Sequence, residues 1–153
     1  MRPSASRLGP VRMPDRAFDP ARFLAAQEGT YADALSELRA GEKRTHWMWW
    51  IFPQLPLGRS PTARAYALSG RDEAEAYLGH PVLGPRLVEA CEAMLTNEGR
   101  RPEAVLGGID ALKLRSCATL FAQAEGAPEV FARVLDAFYD GAADPATIEM
   151  LDG

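Results

Sequence analysis

Apolar residues recur along this chain at intervals of three and four, and Gly, Pro and Asp cut the recurrence into short pieces. Asp19-Pro20 reads as an N-cap followed by proline at the first helical position, opening a helix that buries Phe23 and Leu24 and stops near Gly29. Thr30 caps a second helix, with Tyr31, Ala34, Leu35 and Leu38 on its inner face and Gly41 as a left-handed terminator. A short aromatic helix is expected from about His46 to Phe52, stopped by Pro53. After an irregular stretch over 55–60, helical turns are expected from Pro61 through Leu68 and from Asp72 to Leu78. The longest helix spans Pro81 to Glu98, with Leu83, Leu87, Cys91, Met94 and Leu95 on its core face; Gly84-Pro85 either kinks it or moves its start to Pro85. Pro102 to Leu106 reads as a turn, and the last helices run from Asp110 to about Ala124, Pro128 to Tyr139 and Pro145 to Leu151.

No stretch alternates with period two, and β-branched residues are sparse, so the fold class is all-α, a compact multihelical domain of about eight short helices. Residues 1–17 carry three prolines, four arginines and little apolar content, which predicts a flexible, disordered tail ahead of a single helical domain over 18–153. No apolar h-region follows the basic start, and no apolar run reaches the ~20 residues that span a bilayer, so a cytoplasmic location is expected.

The formal charge of −4 gives no reason to expect a nucleic-acid or anionic-membrane partner; without the tail the charge is −7. Cys91 and Cys117 are too few for a disulfide framework or a structural zinc site. His46 and His80 lie 34 positions apart with no second metal ligand beside either, so no metal and no cofactor is expected. Phosphate-loop, dinucleotide, HExxH and GxSxG signatures are missing. Arginine outnumbers lysine fifteen to two, which singles out Lys43 and Lys113 as ammonium groups kept where arginine is the rule.

Two segments carry candidate chemistry. All three tryptophans fall in Lys43-Arg-Thr-His-Trp-Met-Trp-Trp-Ile-Phe-Pro-Gln54. On a helix His46 would lie beside Trp49 and Trp50, with Trp47 and Ile51 on another face. Such a helix is either a central core element whose indoles find internal partners, or it offers an indole and His46 to a pocket with Lys43 and Gln54 at its mouth. In Asp110-Ala-Leu-Lys113-Leu-Arg-Ser116-Cys117, Asp110 is placed to cap a helix, and Lys113, Ser116 and Cys117 share a stripe. Asp110 and Lys113 form either a surface pair worth a few tenths of a kcal/mol, or a desolvated pair able to orient a ligand or support acid–base chemistry. Cys117 as a thiol nucleophile would need a histidine brought by tertiary contact.

The run from Lys43 to Gln54, with its HWMW and FPQ pieces, resembles the hallmark of the bacterial domain-of-unknown-function family 1810. Tyr77 to Leu87, Asp110 to Phe121 and Phe138 to Leu151 are similar to it as well, so the resemblance covers about Phe18 to Leu151. It implies a multihelical domain and no established reaction. Members sometimes carry the label calpastatin, but a calpastatin-type inhibitor is a disordered, repeat-bearing chain, unlike this core-patterned one. Two departures stand out: Cys117 and Ala118 replace a usual Ser-Met, and the loop after Gln54 is one residue shorter than usual.

Two functions compete. In the first, Lys43, His46, Trp49, Gln54, Asp110, Lys113 and Ser116 frame a pocket that binds, or also hydrolyses, a small nucleotide- or sugar-like molecule. His46 or Asp110 would then move protons, and Lys113 would stabilise charge. In the second, the chain is a non-enzymatic protein-interaction module whose tryptophans reach the surface as one apolar patch.

Overall fold

The computed structural model describes residues 18–152, and among them the architecture is all-α. In chain order the helices are α1 (Ala21–Gln27), α2 (Tyr31–Ala40), α3 (Met48–Ile51), α4 (Pro61–Ala65), α5 (Arg71–Gly79), α6 (Leu83–Leu95), α7 (Pro102–Leu106), α8 (Gly108–Ala122), α9 (Val130–Tyr139) and α10 (Pro145–Asp152). These ten exceed the expected eight, and the stretch expected to be only a turn, 102–106, is itself the helix α7. Pro102 opens it at a position where no backbone N–H is needed. The tail expected over 1–17 lies outside the described residues.

The core is built around α8. Ala111, Leu114, Cys117, Ala118, Leu120 and Phe121 are all buried, so beyond its first turns this helix meets protein on every side, against α5, α7, α9 and α10. Phe121 stacks on Phe131 of α9 at 5.4 Å between ring centroids and tilts against Tyr77 of α5 at 5.6 Å. A second layer forms where α6 packs on α2, α5 and α9, burying the expected Leu83, Leu87, Cys91 and Met94. The helix begins at Leu83, so Pro85 falls in its first turn and breaks no backbone bond.

Polar side chains fix how the helices meet. The Asp144 carboxylate, just ahead of α10, accepts from the Thr147 backbone N–H and hydroxyl and from the Ser116 hydroxyl of α8. The Asp144 N–H donates to Thr119, and Arg115 donates to the carbonyls of Ala142 and Ala143, so the C-terminal helix is tied to α8 by side-chain bonds. Deeper, Gln27 of α1 donates to the Trp50 carbonyl and the Tyr77 hydroxyl and accepts from Arg86. Burial and the neighbouring Cys117 push the Tyr77 hydroxyl well above its ordinary titration range, so it stays neutral. Gly41 closes α2 at φ +79°, as expected, and a Cβ there would also collide with the Arg100 guanidinium.

Candidate functional site

The segment 42–47 is not helical, and α3 is a single turn beginning at Met48 rather than His46. The cause is Glu37, in the last turn of α2. Its Oε1 accepts the backbone N–H groups of Arg44 (2.7 Å) and Thr45 (3.0 Å) and the Trp47 indole N–H (3.0 Å), and its Oε2 accepts the Thr45 hydroxyl (2.6 Å). A carboxylate that collects these donors withholds them from a helix, and the chain enters α3 as an arch around Glu37. Partial burial alone would push the Glu37 carboxyl up, but the Thr45 hydroxyl, the two backbone N–H groups and the indole outweigh it and bring it down to about 2.

The arch leaves Lys43 pointing inward. Its backbone N–H donates to the Val105 carbonyl of α7 at 2.8 Å, which sets the segment alongside the start of α8. Its Nζ donates to the Thr45 carbonyl at 2.7 Å, meets Asp110 Oδ2 at 3.0 Å and lies 4.9 Å from the Trp47 ring centroid. Lys113, one turn along α8, meets Asp110 Oδ1 at 3.0 Å and sits 4.0 Å over the Trp49 ring. One carboxylate thus bridges two ammonium groups, each placed over an indole. The side chains of Lys43, Asp110 and Lys113 are only 9%, 18% and 18% exposed, so this is a largely desolvated cluster rather than a free surface pair. It carries one positive charge in excess, beside the first-turn N–H groups of a fifteen-residue helix.

Asp110 does not cap α8. Gly107 holds the cap position, Asp110 is the third helical residue, and its carboxylate turns sideways to the lysines. His46, expected on the aromatic helix beside Trp49 and Trp50, lies ahead of that helix and is exposed. Lys43 and Gln54, expected at the mouth of a pocket, are instead buried in its walls.

Two adjoining depressions meet at Trp49 and Lys113. A narrow crevice of about 70 Å³ runs between Lys43, His46, Trp47, Asp110 and Lys113. A wider one of about 210 Å³ is lined by Trp49, Gln54, Leu57, Gly58, Lys113 and Ser116, with Ile109 and Leu112 on its rim. The structure therefore brings the seven candidate residues around one locus. They are not equally free. The Ser116 hydroxyl is already paired with the Leu112 carbonyl and Asp144, so it serves the docking of α10. Cys117 is fully buried beneath the site, where burial and Cys91 push its thiol up, so it is a packing residue and not a nucleophile. Among the described residues no three His, Cys, Asp or Glu side chains gather as metal ligands would.

Residues 17–151 match the family described as a protein of unknown function, DUF1810. The chain belongs to this family. A solved relative of this DUF1810 domain is the conserved hypothetical protein Rv1873 from Mycobacterium tuberculosis, known from a crystal structure. It is 46% identical and superposes with a TM-score of 0.86 over 89% of this chain and 98% of that one. No curated protein matches. Among the described residues no helix is long and apolar enough to cross a membrane.

Sequence reasoning missed Glu37, which shapes the arch of this DUF1810 domain. Its one signal was placement: an acid in the last turn of a helix opposes the helix dipole and calls for a partner beyond the helix.

Proposed function

We propose that this DUF1810 domain is a cytoplasmic binding protein for a small, anion-bearing molecule of nucleotide- or sugar-like kind. The ligand is seated against Trp49 with its anionic group toward Lys43 and Lys113. The observation that carries this reading is the bridged lysine pair. Two of the chain's two lysines are drawn to a single carboxylate over two indoles, beside two adjoining depressions. A structural ion pair needs one cation; the second leaves positive charge for a ligand.

Both oxygens of Asp110 are taken up by ammonium groups, which suits it to positioning charge more than to moving protons. Of the two candidates for moving protons, His46 is the one whose side chain makes no hydrogen bond among the described residues, so any hydrolytic step would run through its imidazole at the crevice edge. The interaction-module reading asks for tryptophans spread as an apolar surface. Trp47 is 1% exposed and the other two are half-buried, which favours the pocket.

A thermal-unfolding screen against nucleotides, nucleosides, sugars and sugar phosphates tests the proposal. A ligand at a hundred times its Kd adds about 2.7 kcal/mol, so a saturable rise in Tm is expected for an anionic member of the panel. Lys113→Ala should abolish it. A flat panel, or a rise of the same size in the variant, would refute the reading.

A further inference from the structure

Of the three tryptophans, Trp47 donates its indole N–H to Glu37 and Trp50 donates its own to Thr30. The Trp49 indole has no such partner among the described residues. Gln54 is in the same position. It is 8% exposed, its carbonyl accepts the Leu68 N–H, and its side-chain amide makes no hydrogen bond among the described residues. Arg22 Nε is the buried side-chain atom left without a partner among the described residues, so the Gln54 amide is not stranded and faces whatever fills the depression. Both residues line the 210 Å³ depression.

We infer that Gln54 is a specificity residue that reads the polar edge of a planar heteroaromatic ring, so that the ligand of this site carries a nucleobase-type heterocycle. The inference rests on the proposed pocket and narrows its ligand class. The rest of the lining decides between a base and a sugar. Around Gln54 the walls are the Trp49 indole, Leu57, Gly58 and the apolar rim of Ile109 and Leu112; the Ser116 hydroxyl is already engaged, and the Lys113 ammonium at one end is held by Asp110. A sugar ring carries hydroxyl groups on most of its perimeter, and these would go unpaired against such walls. A heterocyclic base has two apolar faces and one polar edge. Its faces suit the indole and the aliphatic rim, and its edge suits a carboxamide, which offers donor and acceptor side by side.

Size agrees. The depression falls below the ~300 Å³ at which pockets begin to enclose whole drug-sized ligands, so it takes one ring system. The remainder of the molecule then extends past Lys113 toward Lys43, where the excess positive charge lies. Gly58 keeps the loop close: a Cβ there would stand 2.9 Å from the buried Ala63 Cβ and 3.6 Å from Trp49.

Equilibrium titrations with the four ribonucleoside 5′-monophosphates and with ribose 5-phosphate test this, using the full chain, Gln54→Leu and Gln54→Met. The straight-chain variant stands in should the branched one fail to fold. At least one nucleoside monophosphate should bind the wild type tenfold or more tightly than ribose 5-phosphate. The Gln54 variants should lose most of that advantage, read as the ratio of the two dissociation constants. Equal affinity for ribose 5-phosphate and every nucleotide, or nucleotide affinity unmoved in both variants, overturns the inference and leaves the pocket standing. If no nucleotide and no ribose 5-phosphate binds the wild type, the pocket reading falls and takes this inference with it.

Discussion

Glu37 shows how much one side chain decides here. It lies outside the proposed pocket, yet its four accepted hydrogen bonds turn the chain between α2 and α3 and aim Lys43 at Asp110. Glu37→Gln keeps the size but weakens charge-assisted bonds to neutral ones. It should cost about 1–2 kcal/mol at pH 7, measured by urea unfolding. The folded carboxyl titrates near 2, below its ordinary 4.5, so its stabilising contribution is complete above about pH 4.5 and is lost as pH falls through about 2. The stability gap between wild type and variant should therefore shrink over that window and stay constant above it. A gap independent of pH would mean that the hydrogen bonds do not depend on the charge.

At the scale of elements, caps and periodicity were legible where a helix is specified by its own residues. Gly41 ends α2, and Leu83, Leu87, Cys91 and Met94 line the buried face of α6, because φ preference and apolar spacing are local. Starts set by distant partners were not legible. The aromatic helix loses His46 and Trp47 to the bonds that Glu37 makes, and α8 begins at Gly108 because Asp110 turns to the lysines instead of capping it. The site divides the same way. Its residue types announced themselves by the rarity of lysine and the clustering of tryptophan. The burial of Lys43 and Gln54 comes from α7, α8 and the loop before α4, which no local pattern reports. Asp144 belongs at this scale too. Asp144→Ala removes the acceptor for Thr147 and the link to Ser116, and should cost about 1–2 kcal/mol. Amide exchange should speed up throughout α10 and little in α6. Unchanged exchange in α10 would show that its docking depends on apolar contact instead.

Across the whole molecule, charge distribution separates the proposed site from the rest of the surface. From residue 18 onward the chain carries −7, so an anion is repelled on average and drawn only where positive charge collects. A larger depression of about 770 Å³ lies elsewhere, between α5, α6 and the turn before α9, and is rimmed by Glu75, Glu89, Glu92 and Glu125. Size alone would favour it, but its sign is wrong for an anionic ligand. The two smaller depressions have the lysine pair, and an indole N–H and a carboxamide that make no hydrogen bond among the described residues. The all-α packing around α8 holds them at one locus, although the contributing segments are some sixty positions apart in sequence.

The most direct test of the site is the set of three indole N–H signals in a ¹H–¹⁵N correlation spectrum, followed while a nucleoside monophosphate is added. The indoles of Trp47 and Trp50 are bonded inside the protein, whereas that of Trp49 borders both depressions. The Trp49 signal should shift most, saturate with added ligand and stay still in Lys113→Ala. A spectrum in which no indole moves, or in which Trp47 or Trp50 moves and Trp49 does not, would contradict a ligand site at the bridged lysines.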